Sequence, residues 1–544
     1  MHPTSGVSPS QSEGDVNHSA RRTQWQLEHL DTDTRELLAR DSAAFLHQSV
    51  STPCLNAVRR AEGIWIEDMA GRRYMDFHGN NVHHVGYAHP QVLAAIKAQL
   101  DALSFAPRRF ACDRAVELAE ALSAHFQRLT GSPGRVLFTT GGSDAVEVAI
   151  KLARTATGRF KTLSFWDAFH GAGFGASSVG GESLFRGGRV GPLLPGSEHV
   201  APFGCYRCAY GHPVDAQGQP DLAGCRLACA SMVKYVLERE GDVAAVIAEP
   251  ARAVPFVPPP GYWQAVREAC NAHGTLLIFD EIPTGLGKTG RFFAAEHDGA
   301  VPDIVVLGKA LGGGVLPIAA CVAHERLNVA GAYAYGHYTH EKNPVTAAAA
   351  LATLQVIEQD DLVGNAARVG AHALERLHDL QERHALIGDV RGRGLLLGLA
   401  EDGRNVVVEA RPMPNVWPVE SEKPERFRIA EDDWRDVPVC DVVVASRSTL
   451  VMDMADALAK LESKARRRVY LTSMAGGRFI DTEIAELLGR AHAALPDYIY
   501  IINILYRLGR HPRLDELVRY AGLVDEALAG GCCSSAEIPV TTTG

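Results

Sequence analysis

No run of about 18 apolar residues, the length that crosses a bilayer as a helix, occurs in this sequence. The first 23 residues are polar and lack the apolar stretch of a secretory signal. These absences argue against membrane insertion and export, so the expected location is the cytoplasm. Cysteine is sparse, at 11 in 544 residues and an odd count, which argues against a disulfide scaffold and suits a reducing compartment. Positive charge is in deficit: 54 Lys and Arg stand against 64 Asp and Glu, a formal net charge of −10. An acidic chain is a poor general ligand for nucleic acid or an anionic membrane, so neither is expected as a partner. No motif repeats at a fixed period. What remains is a chain 46% hydrophobic and 22% charged, the composition of a folded globular protein long enough for more than one domain.

Apolar and polar residues alternate on either side of Met69-Ala70-Gly71, which predicts a hairpin within 63–77. Val92, Ile96 and Leu100 recur at helical spacing after His89-Pro90. From about 134 to 325, short apolar runs alternate with helical patterns. The predicted strands are Val136–Thr139, Thr162–Phe165, Val243–Ala248, Leu276–Asp280 and Ile304–Leu307. Runs apolar throughout suit strands covered on both faces, so this region reads as α/β with a mainly parallel sheet. One long helical pattern follows over 345–383, then a Gly-rich strand, VRGRGLLLGLA.

Three features in this sheet carry chemistry. Lys309 ends an apolar strand and precedes a glycine run. A desolvated lysine there is a nucleophile suited to Schiff-base formation, though strand-end lysines are often only solvated. Asp280 closes the run TLLIFD, at the strand end where ligands bind in open α/β sheets. The segment Thr139-Thr140-Gly141-Gly142-Ser143-Asp144 joins a strand to an amphipathic helix. Its glycines let backbone N–H groups approach a phosphate at a helix N-terminus.

With these features in order, FDEIPTGLGKTGRFFAAEHDGAVPDIVVLGKALGGG (279–314) resembles the class III, or ω-type, aminotransferases. The likeness runs from about Glu62 to Ala400. It implies pyridoxal phosphate (PLP) fold type I, aspartate aminotransferase-like: a mainly parallel sheet with helices on both faces plus a small α+β domain. It also implies PLP as cofactor, a small amino compound as substrate and a homodimer with shared active sites. By the resemblance, Lys309 forms the Schiff base and moves protons, and Asp280 pairs with the pyridine nitrogen. Gly141, Gly142 and Ser143 hold the phosphate, Phe169 stacks on the ring with His170 beside it, and Glu249 lies near the substrate side. Thr339 reaches the phosphate of the neighbouring subunit. Core packing is the alternative for Phe169, and a structural ion pair for Glu249.

A narrower resemblance lies in MDFHGNNVHHVGYAHP (75–90) and AEPARAVPFVPPPGYW. They look like a subgroup of the family that acts as ammonia-lyases on (R)-1-hydroxy-2-aminoethylphosphonate, giving phosphonoacetaldehyde and ammonia. It places Asn81 and His83, with Asn80 and His84, toward the substrate; a packed hairpin edge is the alternative for the histidines. The expected function is therefore a transaminase-type enzyme on a primary amine. The ammonia-lyase is the alternative, and a non-catalytic PLP-binding protein is the reading from another class. The chain also departs from the family. Pro283 stands where Gln is common, and no carboxylate-binding arginine follows Ala400, leaving Arg252 or Arg186 as guesses. Cys205, Cys208, Cys225 and Cys229 have a spacing that suits zinc but read first as a structural loop, so no metal is assigned.

The expected division is a disordered polar arm (1–40) and the N-terminal part of the small domain (41–100), followed by the large PLP-binding domain (101–335). After it come the return helix and start of the small domain (336–404), a linker (405–436), an atypical C-terminal α/β segment (437–530) and a disordered tail (531–544).

Overall fold

The computed structural model describes residues 19–187, 190–214, 220–329, 331–384, 386–401, 404–409, 440–446, 465–474 and 533–539. The chain divides into two compact units, 1–417 and 418–544.

The first unit opens with two helices, α1 (Ala20–His29) and α2 (Thr32–Ala44). The arm expected to be disordered is therefore helical from Ala20 onward. Its caps explain this: Ser19 accepts from the Arg22 N–H, and Asp31 from the Thr34 N–H at 2.7 Å. Three antiparallel strands follow, β1 (Val58–Glu62), β2 (Trp65–Asp68) and β3 (Arg73–Met75). The predicted hairpin is β2–β3, turning at Gly71, whose φ is +80°. Helices α3 (Pro90–Ala102) and α4 (Asp113–Thr130) lead to the central sheet.

That sheet has seven strands: β4 (Gly134–Thr139), β5 (Lys161–Phe165), β6 (Ser197–Val200), β7 (Val243–Ala248), β8 (Leu276–Asp280), β9 (Ile304–Leu307) and β10 (Ala319–His324). Their order is β4-β10-β9-β8-β7-β5-β6. All neighbours are parallel except β10, which runs antiparallel to β4 and β9. The five predicted strands are present. The two others, β6 and β10, have weak signals: β6 is a polar edge strand, SEHV, and β10 is built largely of Ala. Strands β7, β8 and β9 are buried at every position.

Helix α5 (Gly142–Thr157) covers one face, burying Val146, Val148, Ala149, Ile150 and Leu152. The short helices α6 (Phe174–Val179), α7 (Ser183–Arg186) and α8 (Leu222–Cys225) connect strands. Helices α9 (Ala228–Glu240) and α10 (Tyr262–His273) contribute to the core of the other face. Trp263 of α10 is fully buried, and its Nε1 donates to Pro250 O at 2.8 Å. It thereby pins the loop leaving β7, and its burial contributes about 3 kcal/mol or more.

The long helical pattern over 345–383 is two helices, α11 (Pro344–Gln359) and α12 (Leu362–Arg383). They break at Asp361, whose φ is +46° and whose carboxylate caps α12 through the Gly364 N–H. The Gly-rich strand is likewise two, β11 (Ile387–Arg393) and β12 (Leu396–Glu401), joined to β13 (Arg404–Glu409). The turn between β11 and β12 needs Gly394: its φ is +55°, and a Cβ there would meet the Thr289 carbonyl carbon at 2.3 Å.

In the second unit, β14 (Cys440–Ser446) pairs parallel with β15 (Ala465–Met474), and β15 antiparallel with β16 (Cys533–Pro539). The first two lie in the segment expected to be α/β (437–530), whereas β16 lies in the tail expected to be disordered. The rest of that α/β segment and most of the linker lie outside the described residues.

Glu281 follows β8 and is buried. Its carboxylate accepts from the Thr284 hydroxyl and from the Ala294 and Ala295 N–H groups, at 2.8–3.1 Å. Burial pushes its pKa from 4.5 up to about 7, against the pull of those bonds. The folded chain thus holds this proton more tightly than the unfolded one. The stability that Glu281 contributes falls as pH rises from 4.5 to about 7, by about 3 kcal/mol. Denaturant unfolding across that range should show the deficit of Glu281→Ala shrinking by that amount; a pH-independent deficit would contradict the shift.

Candidate functional site

The candidate residues leave the C-terminal ends of β4, β5, β7, β8 and β9. The register aligns them: Ala248 pairs with Phe279 and Asp280 with Val306. Glu249 therefore stands beside Asp280, and Lys309 lies three residues beyond Asp280's partner. Strands covered on both faces leave polar groups at their ends as the only chemistry facing the crevice.

Asp280 is 2% exposed. Its Oδ2 lies 2.8 Å from His170 Nδ1, and its Oδ1 accepts from the Ile282 N–H at 3.0 Å. The carboxylate assigns the His170 proton to Nδ1. His170 Nε2 is buried and has no hydrogen-bond partner among the described residues. A carboxylate offers about four acceptor positions, so two remain for another N–H donor. Glu249 is buried and accepts from the Ala253 N–H at 2.6 Å. Burial raises its pKa, the Asp280 charge raises it further, and His170 and Arg252 oppose both.

Lys309 is half-buried and begins a 3-10 turn, Lys309–Gly312, directly after Gly308. Its φ is +46°, a left-handed conformation that costs a non-glycine residue about 1–3 kcal/mol and that clusters at functional sites. Gly308 is closely packed: a Cβ would stand 3.3 Å from that of Ala319.

Gly141 caps α5, so the N–H groups of Gly142 and Ser143 are among the unpaired donors of its first turn. A Cβ on Gly142 would meet Ile282 Cδ1 at 2.8 Å. Ser143 Oγ accepts from the Ala172 N–H at 3.0 Å, and Gly171, with φ +133°, comes so close that a Cβ would sit 2.4 Å from that Oγ. The result is a cradle between α5 and the 169–172 loop with the backbone donors an anion would need. Phe169 on that loop is 38% exposed and tilts against Phe185 at 4.4 Å. It is not packed into the core. Thr339 is exposed, and its neighbour Tyr338 reaches Asp144 O in the first turn of α5 at 3.5 Å.

Asn81, His83 and His84 are buried, while Asn80 is exposed. The segment abuts the turn after Lys309, since a Cβ on Gly314 would meet Val82 O at 3.2 Å. His83 stacks on Tyr87 at 4.7 Å, and its Nε2 lies 2.9 Å from Asp76 O. Asn81 Oδ1 accepts from Lys288 Nζ, a fully buried ammonium that sequence reasoning passed over within GLGKTG. A lysine between Gly287 and Thr289 in a turn is a faint signal, because its partner Asn81 is distant in the sequence. Arg252 stacks on Phe256 at 5.2 Å and donates to Asp167 O, so it borders the site. Arg186 stacks on Trp166 at 4.9 Å, with His199 beside it.

These groups fit PLP on the structure's own terms. Asp280 keeps free acceptor positions, His170 Nε2 is an orphaned buried nitrogen, and the glycine cradle suits a phosphate. No group of three or more side chains disposed to hold a metal ion occurs among the described residues. None of the helices in these residues is long and apolar enough to cross a membrane.

Comparison with known proteins agrees with this geometry. The sequence model of the family "aminotransferase class-III" matches residues 47–413. An (R)-1-hydroxy-2-aminoethylphosphonate ammonia-lyase from Vibrio splendidus is 44% identical over 71% of this chain and 82% of its own. A leucine/methionine racemase from Thermococcus litoralis is 35% identical over 67% of this chain and 81% of its own. Among solved structures, a PLP-bound amine transaminase from an uncultivated Pseudomonas species aligns with a TM-score of 0.60 at 35% identity, covering 66% of this chain and 85% of that one.

Lys309→Ala tests Lys309 as the cofactor's covalent attachment point. Activity should fall by about 10²–10⁴-fold or more, and borohydride treatment should leave no cofactor mass on the chain. Gly171→Ala should lower cofactor occupancy by pressing on Ser143, measured as the cofactor-to-protein ratio; unchanged occupancy would remove Ser143 from the cradle.

Proposed function

The chain belongs to the class III aminotransferase family, and from that premise we propose that it is an ammonia-lyase acting on (R)-1-hydroxy-2-aminoethylphosphonate. Its fold is PLP fold type I, and it is a PLP-dependent enzyme acting on a small amino compound. The 44% identity to the Vibrio splendidus lyase, across 82% of that protein, carries the finer reading. The aminotransferases among the solved neighbours favour a second one, a transaminase on another primary amine.

When bound, the cofactor supplies an electron sink that acidifies the C–H bond beside the substrate nitrogen. In this reading Lys309 holds the cofactor and takes the proton from that carbon. The neighbouring carbon loses its hydroxyl, which departs as water with that proton. The product enamine tautomerises, and water hydrolyses the imine to phosphonoacetaldehyde and ammonia. No net oxidation occurs and no keto acid is consumed, so an arginine clamp for an α-carboxylate is not needed. Asp280 keeps the ring nitrogen protonated, with His170 orienting its carboxylate. Gly141, Gly142 and Ser143 bind the phosphate, Phe169 covers the ring, and Glu249 lies beside Asp280 in a form held toward protonation. Asn81 and His83 shape the substrate side. Thr339, exposed on its own chain, serves the partner's site in a homodimer. The eight described cysteines are free thiols, which supports a reducing cytoplasm.

The test supplies cofactor-loaded protein with the hydroxy-aminophosphonate and no keto acid. Ammonia should accumulate mole for mole with substrate consumed, over many turnovers. A reaction that stops after one equivalent and resumes only with pyruvate would establish a transaminase instead.

A further inference from the structure

Among the described residues, the buried Lys and Arg side chains are Lys288 and Arg252. Lys288 donates to Asn81 Oδ1. Arg252 is 8% exposed and lies in the loop after β7, three residues beyond Glu249. That loop folds back on itself around the arginine. The Arg252 N–H donates to Phe256 O at 3.0 Å, and the Ala253 N–H donates to the Glu249 carboxylate at 2.6 Å. The position of Arg252 is thus tied to that of Glu249, which stands beside Asp280.

The side chain reaches the neighbouring loop. Its Nη2 donates to Asp167 O, two residues before Phe169 and three before His170. The guanidinium therefore joins the loop that carries Glu249 to the loop that carries the histidine on Asp280. Its Cζ lies 5.2 Å from the centre of the Phe256 ring. Arg391 covers the same ring at 4.4 Å, but it is paired with Asp389 and donates to Pro255 O.

Arg252 has no such counter-charge. No carboxylate pairs with it among the described residues, and its Nε is buried there without a hydrogen-bond partner. A guanidinium carries five N–H donors, and Asp167 O takes one of them. A buried cation is tolerated where an anion or hydrogen bonds compensate it. The planar fork of donors matches the oxygens of a phosphonate better than an ammonium does. Arg186, the other arginine near this loop, is half-buried, and its Nη1 lies 3.3 Å from His199 Nε2.

We infer that Arg252 is the anion subsite of the active site and takes the substrate's phosphonate through its unpaired N–H groups. The inference deepens the lyase reading and rests on it. In that substrate the carbon bearing the hydroxyl also bears the phosphonate, and the next carbon bears the amine. Holding the phosphonate at Arg252 and the amine on the Lys309 side fixes both ends of a two-carbon skeleton. It thereby sets the direction in which the hydroxyl leaves. The arginine that the sequence lacks after Ala400 is thus replaced by one on the β7 loop, suited to a different anion.

The probe is methylphosphonate, which has no amine, added to cofactor-loaded protein and followed by ³¹P NMR. The cofactor fills its own phosphate cradle, so binding reports a second anion site. The wild type should bind it, and Arg252→Met should weaken binding by about 30-fold or more. The cofactor-to-protein ratio should hold, and KM for the hydroxy-aminophosphonate should rise by a similar factor, with a smaller change in kcat. Arg252→Lys keeps the charge without the fork and should fall between the two, which serves where the Met variant does not fold. No binding by the wild type, or equal binding by wild type and both variants, would overturn the subsite. Binding that depends on Arg252, without ammonia release from the hydroxy-aminophosphonate, would keep the subsite and remove the lyase reading. Ammonia release with KM unchanged in Arg252→Met would do the reverse.

Discussion

The Asp280–His170 pair at the mouth of β8 is the constraint around which the site is arranged. A carboxylate 2% exposed is tolerated only where hydrogen bonds satisfy it, and here His170 and the Ile282 N–H do so. Both partners come from loops whose positions depend on the sheet. His170 follows β5 and Ile282 follows β8, while β7 lies between these strands and delivers Glu249. The seven-stranded sheet thus acts as a jig. It fixes one carboxylate, brings a second beside it, places a lysine after the adjacent β9 and sets the glycine-lined start of α5 after β4.

Much of this was legible in the sequence because the informative segments are local. Asp280, Lys309 and Gly141–Ser143 each sit at the end of an apolar run, and the run itself marks the strand. The runs behind β4, β5, β7, β8 and β9 are apolar because both faces are covered. Less legible were features set by distant contacts. Asp361 breaks a continuous helical pattern by adopting φ +46°, and Gly394 folds one apparent strand into two by backing onto Thr289. The buried Lys288 donates to Asn81, more than 200 positions away, and nothing local announces that contact. The N-terminal arm was read from polarity, whereas side-chain caps at Ser19 and Asp31 organise it as helix.

Family membership and chemistry answer different questions here. The fold and the cofactor follow from the family, whose members include transaminases, racemases and a lyase. Choosing among those outcomes depends on what the chain does with a proton once it is removed. Elimination and racemisation need one substrate and return the cofactor unchanged, whereas transamination needs a second substrate. The strands of the C-terminal unit, β14, β15 and β16, lie beyond the matched residues 47–413 and are not needed for that argument.

The central claim is that the buried Asp280 carboxylate governs the cofactor's electronics. The most direct measurement is the nitrogen NMR shift of ¹⁵N-labelled PLP bound to the wild-type protein, followed across the pH range in which it stays folded. The account predicts a protonated ring nitrogen throughout, lost in Asp280→Asn. A neutral ring nitrogen in the wild type at neutral pH would contradict it.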